Sequence, residues 1–324
     1  MSVSKEVLNL YTGTILKDTS KYNGKERPWR SKKLDSLTYA EYLEVLHFKK
    51  ANRVRDCGNV LKFAKTDDGM KLYQTWFCHS RLCPLCSWRR ALKNSYELQK
   101  ILDEANKKFP KAIYLFLTLT EENSHVGELK QNLRDMNSSI RRLIQYKKVS
   151  KHLIGYVRSS EITVNRDKYT FHEHVHILLM VKSSYFNSDS YLTNSDWSKL
   201  WKRARKLDYD PIINIQKIRA RSRHGQSALI SSAKEVSKYQ VKDSDYITND
   251  RKSDLVVLDE LEKSLQGSRQ LSFGGLLKKI RHELLFDQKE DDLINVGNDD
   301  DSADIIETVM YKWNSDIKNY VSWE

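Results

Sequence analysis

The sequence predicts an α+β fold, in which a small zinc-binding module precedes an antiparallel sheet with helices on one face. Two observations support this prediction. All four cysteines lie within residues 57–86, and they are the only cysteines of the chain. After residue 110, strand-like and helix-like segments follow one another in the order β-α-β-β-α-β-α. The first observation indicates a metal module, and the second indicates a mixed, mostly antiparallel domain.

Charge and hydropathy narrow the class of partner. The 324 residues carry a formal net charge of +13, and residues 287–324 alone carry 11 acidic and 3 basic side chains. The remainder holds 53 basic and 32 acidic side chains, which favours nucleic acid as the partner, although charge can also serve solubility alone. No apolar stretch of about 18 residues predicts a membrane span, and no signal peptide is evident, so we expect a cytoplasmic protein without a membrane partner.

Composition divides the chain into five predicted segments. Residues 1–35 read as a basic flexible arm, and residues 36–110 as a helical zinc-binding module. Residues 111–248 hold the mixed α/β pattern, and residues 249–286 a helical extension. Residues 287–324 form an acidic tail that we expect to be partly disordered, with a strand or two near its end.

The elements of the central segment follow from hydrophobic periodicity. The predicted order is a strand, a helix, two strands joined as a hairpin, a helix, a strand and a helix, over residues 112–120, 129–143, 153–165, 168–181, 194–207, 211–218 and 227–242. The short turn between the third and fourth of these segments is the reason for the hairpin. This order resembles a ferredoxin-like split βαβ unit with one further helix.

The cysteine window predicts a structural zinc site. Cys83 and Cys86 form a C-x-x-C knuckle, with Cys78 just before it and Cys57 upstream as the fourth ligand. Four thiolates suit tetrahedral Zn²⁺ and leave no position open for catalysis. His79 is the alternative fourth ligand, and four buried, reduced cysteines without metal are the alternative for the whole cluster.

The stretch "FHEHVHILLMV" places His172, His174 and His176 at every second position of one predicted strand. Because strand side chains alternate between faces, the three imidazoles project to the same side. His174 and His176, with Glu161 facing them across the hairpin, form a site suited to Mn²⁺ or Mg²⁺. His172 is expected to support these ligands or to contact a phosphate. The alternative is a merely hydrogen-bonded histidine patch.

The helix predicted over residues 227–242 supplies a nucleophile for such a site. Glu235, Tyr239 and Lys242 are spaced by four and then three residues, so they would share one helical face. A tyrosine hydroxyl is a weak nucleophile at neutral pH, but a cation on the phosphate and a nearby lysine would activate it. An ordinary amphipathic helix with a salt-bridging Glu and Lys is the alternative.

The motifs "LFLTLT", "HEHVH" and "EVSKYQVK" resemble, in order and spacing, those of HUH endonucleases, and more narrowly the replication initiators of Gram-positive rolling-circle plasmids. The resemblance runs from the cysteine cluster to about "SRQLSFGGLLKKI", roughly two thirds of the chain. It implies an HUH endonuclease core over residues 111–248. One departure is "HEH", where many relatives have proline between the first two histidines; the paired ligands His174 and His176 are retained.

The resemblance implies a specific activity. The protein would recognise a plasmid double-strand origin, and Tyr239 would nick one strand to form a 5′-phosphotyrosine and a free 3′-OH that primes a host polymerase. Glu235 would direct water at termination, and Lys242 would orient or stabilise Tyr239. A host helicase is an expected partner, and oligomerisation is left open. Six basic residues are placed to hold DNA phosphates: Lys202, Arg203, Arg205, Arg219, Arg221 and Arg223.

Three other classes of protein share parts of this pattern. Conjugative relaxases usually carry the nucleophile before the histidine strand, whereas Tyr239 follows it. HUH-type transposases can place tyrosine after the histidines and carry zinc modules, so they are the nearer alternative. A non-enzymatic, zinc-containing DNA-binding regulator would bind DNA without a covalent adduct. If Tyr239 is not the nucleophile, Tyr246 is the nearest candidate.

Overall fold

The computed structural model describes residues 13–20, 24–66, 69–187, 189, 191–218, 228–288, 291–297 and 307–323. The chain divides into two compact units, one of residues 1–93 with 291–324 and one of residues 94–290. Both contain helices and antiparallel sheets, so the predicted α+β class is confirmed. None of the helices in the described part of the chain is long and apolar enough to span a membrane.

The first unit is built on a four-stranded antiparallel sheet with the order β10-β9-β1-β2. Its elements are α1 (Trp29–Val45), α2 (Ala51–Arg55), β1 (Val60–Thr66), β2 (Gly69–Thr75), the start of α3 (Pro84–Lys108), β9 (Glu307–Asn314) and β10 (Asn319–Trp323). The strands β9 and β10 lie in the predicted acidic tail, so the end of that segment joins the sheet of the N-terminal unit through β1. The acidic residues 298–306 lie outside the described residues.

The predicted arm is shorter than expected from the sequence. Ile15 bridges Val321, and the backbone N–H of Leu16 donates to the carbonyl of Tyr320 at 3.0 Å. Trp29, which begins α1, is 2% exposed, and its indole N–H donates to Asp18 at 2.8 Å. Hydrogen bonds and the burial of Trp29 therefore hold this polar stretch in the fold, whereas periodicity gave no sign of them. Residues 1–12 of the predicted arm lie outside the described part.

The second unit contains a larger antiparallel sheet with the order β7-β3-β6-β5-β8. After the remainder of α3 its elements are β3 (Ile113–Thr120), β4 (Ser124–His125), α4 (Leu129–Gln145), α5 (Lys147–Ser150), β5 (Leu153–Asn165), β6 (Thr170–Val181), α6 (Asn194–Arg205), β7 (Ile213–Ile218), α7 (Ala228–Ser237), α8 (Arg251–Leu265), β8 (Leu271–Gly274) and α9 (Gly275–Glu283). When β3, β5, β6 and β7 are numbered 1 to 4 in chain order, their order across the sheet is 4-1-3-2, which is the order of a split βαβ unit. The predicted hairpin is confirmed as β5 and β6.

The sheet of this unit is covered on both faces, which corrects the prediction of helices on one face. Helices α4 and α6 pack on the side of Leu117, Val175 and Ile177. Helices α3, α7 and α9 pack on the opposite side, against Tyr114 and Leu178. The reason is visible in β6, whose apolar run from residue 177 to 181 has no polar alternation and so places apolar side chains on both faces.

Candidate metal centres

The four cysteines come together in the first unit, as the sequence predicts. Cys57 follows α2, Cys78 follows β2, and Cys83 and Cys86 flank the start of α3; all four are buried. The Sγ atoms of Cys57 and Cys86 are 3.5 Å apart, those of Cys78 and Cys86 3.6 Å, and those of Cys57 and Cys83 3.7 Å. None forms a disulfide.

These distances fit a tetrahedral tetrathiolate site. Zn–S bonds of about 2.3 Å place sulfur atoms about 3.8 Å apart at the corners of a tetrahedron. Burial acts to raise the pKa of Cys83, but hydrogen bonds from the other three cysteines outweigh it and hold that pKa well below its usual value. His79 is exposed and lies outside the group of four, which favours cysteine over histidine as the fourth ligand.

A buried lysine supports the cysteine cluster from α1. Lys33 is 0% exposed, and its ammonium donates to the carbonyls of Arg55 and Cys57, each at 2.8 Å, and to Asn59 Oδ1 at 2.6 Å. Burial lowers the pKa of Lys33 to about 8, while the nearby cysteines and Asp56 act to raise it. The side chain thus ties α1 to the loop that carries Cys57, a contact that the sequence did not reveal.

The three histidines lie on one face of β6, as strand alternation predicts. The rings of His172 and His174 are 4.1 Å apart, and those of His174 and His176 are 6.3 Å apart with an interplanar angle of 5°. Glu161 stands opposite His174 in the β5–β6 register, and its Oε2 lies 3.0 Å from His176 Nε2. The predicted facing of Glu161 and the histidines is therefore present.

The tightest group of candidate ligands differs in one member from the predicted set. Ligand atoms of Glu161, His176 and Glu235 all lie within 4.8 Å of one another, and His174 is not in that group. Glu235 was expected as a water-activating residue rather than as a ligand. It comes from the last turn of α7, which packs across β5 and β6 on the histidine face. Sequence spacing could not reveal this approach, because it depends on how α7 crosses the sheet.

Hydrogen bonds and burial prepare this group to accept a cation. The hydrogen bond with His176 holds the pKa of Glu161 below its usual value, and burial lowers the pKa of His174 and of His172. At neutral pH Glu161 is thus ionised and His172 and His174 are neutral, and these are the forms that bind metals. Thr118 Oγ1 lies 3.1 Å from His176 Nδ1 and orients the ring so that Nε2 faces Glu161.

The tyrosine segment is not helical, which corrects the predicted helix over residues 227–242. Helix α7 ends at Ser237. The side-chain amide of Gln270 donates to the carbonyls of Ser237 and Lys238, and the carbonyl of Gln240 accepts from the N–H of Ile162 at 2.7 Å. These partners, which come from distant parts of the chain, replace the helical hydrogen bonds, so Tyr239 and Lys242 do not share a helical face with Glu235.

The same contacts bring Tyr239 towards the candidate ligands by another route. Because the carbonyl of Gln240 accepts from the N–H of Ile162, the backbone at Tyr239 lies close to the part of β5 that carries Glu161. Tyr239 is half-buried, whereas Tyr246 is 1% exposed. Lys242 is exposed, and its charge contributes to lowering the pKa of Glu161, after the larger effect of His176. Of the two tyrosines considered as nucleophile, Tyr239 is the more accessible.

The six basic residues predicted to hold DNA phosphates lie in different environments. Arg219, Arg221 and Arg223 lie outside the described residues. Lys202 pairs with Asp210 at 2.8 Å, and Arg203 lies over the ring of Tyr146 at 5.3 Å. Both keep access to solvent.

Arg205, the third basic residue of α6, is engaged inside the protein. It is 13% exposed, and its Nε lies 2.7 Å from Glu121 Oε2. The N–H does not point at that oxygen, so charge rather than a well-directed hydrogen bond holds this contact. A second contact joins Nη2 to Glu121 Oε1 at 3.1 Å, and Asn132 also accepts from Arg205. Its predicted role as a phosphate contact is thereby replaced by an internal ion pair.

Comparison with known proteins places the chain in a family. A family model described as "Replication protein" matches residues 69–321, and the chain belongs to that family. It is 52% identical over 312 residues to "Protein rep" of Lentilactobacillus hilgardii, covering 95% of this chain and 99% of the relative. It is 49% identical over 307 residues to "Protein rep" of Lactiplantibacillus plantarum, covering 93% and 97%. No solved structure matches significantly. The resemblance to rolling-circle replication initiators of Gram-positive plasmids is thus confirmed.

Proposed function

We propose that this protein initiates rolling-circle plasmid replication by nicking one strand of the double-strand origin through a 5′-phosphotyrosine. Family membership supports a role in plasmid replication initiation. Two observations support the chemical step: Glu161, His176 and Glu235 form one group with His174 adjoining, and the hydrogen bond from Ile162 to Gln240 holds the segment of Tyr239 against the strand of Glu161. In this proposal residues 111–248, which lie in the second unit, form an HUH endonuclease core.

The candidate ligands fit a divalent cation. Two carboxylates and an imidazole converge within 4.8 Å, and His174 adjoins through its ring contact with His176. Oxygen and imidazole donors suit Mn²⁺ or Mg²⁺, and the cation supplies polarisation of a phosphodiester oxygen. The protein's own part is to hold the pKa of Glu161 below its usual value through the contact with His176 and to lower the pKa of His174 through burial, so that this carboxylate is ionised and this imidazole is neutral at neutral pH.

The nicking step uses the phenolic oxygen of Tyr239. This oxygen forms a bond to phosphorus while the bond from phosphorus to the 3′ oxygen breaks. The phenol gives up its proton to solvent, and the leaving 3′ oxygen takes one from solvent to become the free 3′-OH. Lys242 contributes positive charge near Glu161, where it would stabilise the negative charge of the attacking oxygen. The product is a 5′-phosphotyrosine, which conserves the energy of the phosphodiester for strand transfer.

Termination requires a second nucleophile at the same place. In this proposal Glu235 accepts a proton from water, whose oxygen attacks the phosphorus of the regenerated origin site as the bond from that phosphorus to the 3′ oxygen breaks, and the 3′ oxygen takes a proton. The carboxylate of Glu235 already pairs with Lys238 Nζ at 2.5 Å, and it is about as exposed as that lysine. This contact positions the Glu235 carboxylate before the water arrives.

The cysteine cluster holds structural Zn²⁺ in this proposal, because its sulfur spacing and its four-thiolate composition fit that ion. Host helicase and DNA polymerase are the expected partners after the nick. Basic residues that retain solvent access, such as Lys202 and Arg203, are proposed to contact phosphates of the origin.

The test uses overlapping single-stranded oligonucleotides that span the replicon encoding the protein, with Mn²⁺. The proposal predicts a denaturation-resistant adduct at the new 5′ end, formed by the wild type and lost with EDTA or in Tyr239→Phe. Tyr169→Phe, an exposed tyrosine in the β5–β6 turn, is the matched control and should behave as the wild type. DNA binding without an adduct on any oligonucleotide would instead support the non-enzymatic regulator.

A further inference from the structure

The histidine face of the sheet continues beyond the candidate ligands to the edge strand β7. Across the sheet, Asn214 pairs with Thr118, Thr118 with His176, and His176 with Ser159. Side chains at directly paired positions project to the same face, so Asn214 and His176 face the same side. Two strand spacings of about 4.8 Å separate them, which places Asn214 about 10 Å from His176 along this row.

The edge strand presents polar amides where a covered sheet would present apolar groups. Asn214 and Gln216 are both exposed, and they alternate on β7 towards the histidine face. Within the described part of the chain neither side chain has a hydrogen-bond partner. Ile212, one residue before β7, is 83% exposed, and its carbonyl accepts from Thr120 Oγ1 at 2.6 Å. The row therefore offers two free amides and an apolar side chain beside the candidate cation site.

Neutral amides in such a row suit bases better than phosphates. Phosphate contacts come mainly from cations and carry no sequence information, whereas Asn and Gln donate and accept at once and can match a base edge. In an unpaired strand those edges are open to side chains. A strand whose phosphate is held at His176 would pass its neighbouring bases over β7.

We propose that Asn214 and Gln216 are specificity-determining residues, which read bases of single-stranded DNA next to the scissile phosphate, with Ile212 against a base face. This inference rests on the proposed nicking function. The substrate feature it assigns is one or two adjacent bases on one side of the cut. Each good amide–base contact discriminates between bases by a factor on the order of 10 to 100.

The experiment compares the wild type with Asn214→Ala/Gln216→Ala on single strands randomised at three positions on each side of the cleaved bond. Sequencing of adducts formed with Mn²⁺ gives the preference at each position. The expected result is a wild-type preference of about tenfold or more at one or two adjacent positions, reduced to less than about threefold in the variant. Gln131→Ala, an exposed amide on α4, is the control and should keep the wild-type preference.

A second arm separates this inference from the proposed function. Single strands randomised along their whole length are selected for binding in EDTA, where no adduct is expected, so base preference is measured even if the nicking proposal fails. An unchanged preference in the double variant would overturn the inference while adduct formation stands. A uniform loss of affinity across all sequences would also overturn it, because that is the signature of a phosphate contact. Thermal unfolding confirms that the variant is folded.

Discussion

Replacement of Arg205 by Met tests whether this residue holds the fold or the DNA. The arginine contacts Glu121 through two nitrogens, at 2.7 and 3.1 Å, and the two side chains are 13% and 3% exposed. Removing one member of a buried ion pair costs about 3–5 kcal/mol, because the other charge is left without compensation. Burial already raises the pKa of Glu121, and only Arg205 and Asn132 oppose that effect among its larger contributions.

For a unit of this size, such a loss lowers the unfolding midpoint by roughly 6–20 °C, since each kcal/mol shifts it by about 2–4 °C. Circular dichroism during heating, with zinc present, measures the change. Lys199→Met, an exposed lysine on the same helix, is the control and should cost less than about 0.5 kcal/mol. Adding Glu121→Gln to Arg205→Met should recover part of the loss, because it removes the unpaired acid.

The contrary result is equally clear. If Arg205→Met unfolds within about 1 °C of the wild type and instead weakens binding of single-stranded DNA, the internal ion pair is not the role of Arg205. The phosphate contact predicted from the sequence would then be restored.

Three further predictions concern the buried ionisable side chains of Cys83, Lys33 and Glu173. Elemental analysis should find one Zn²⁺ per chain. The variant Cys83→Ser should lose the ion together with the near-ultraviolet circular dichroism signal of the first unit, and retention of both would contradict the tetrathiolate site. Lys33→Met should speed zinc release to a chelator and destabilise the first unit by at least about 2 kcal/mol, since three acceptors lose their donor; an unchanged release rate would refute this. Burial raises the pKa of Glu173, so its contribution to stability should fall as the pH rises from its unfolded value of about 4.3 through the folded value. Glu173→Gln should therefore show a smaller fall in melting temperature as the pH rises from about 4.3 to neutrality, and an identical fall would contradict the prediction.

The features that could be predicted from the sequence are those set by local periodicity. Alternation along β6 places His172, His174 and His176 on one face, and the short turn before β6 places Glu161 opposite His174. The clustering of the four cysteines was predictable, because the C-x-x-C spacing and the restriction of all four to one window already indicate that they bind one metal ion. In each case the information lies within one or two neighbouring elements.

The features that could not be predicted depend on partners distant in the chain. The end of α7 is set by Gln270 and by Ile162, which lie on either side of it in sequence, so helical spacing overestimated its length. Arg205 looked like part of a basic surface because Glu121, its ion-pair partner, comes from the end of β3. Glu235 enters the ligand group only because α7 crosses the histidine face. Tertiary packing decides all three.

The proposed nicking reaction is tested most directly by identifying the residue that becomes attached to DNA. After reaction with a cleaved single-stranded oligonucleotide and Mn²⁺, nuclease and protease digestion leaves a nucleotide-modified peptide whose site is read by tandem mass spectrometry. The proposed mechanism predicts a 5′-phosphate on the phenolic oxygen of Tyr239, within the segment that Gln240 bonds to β5. Attachment at any other residue would contradict the assignment of Tyr239 as the nucleophile beside Glu161, His176 and Glu235.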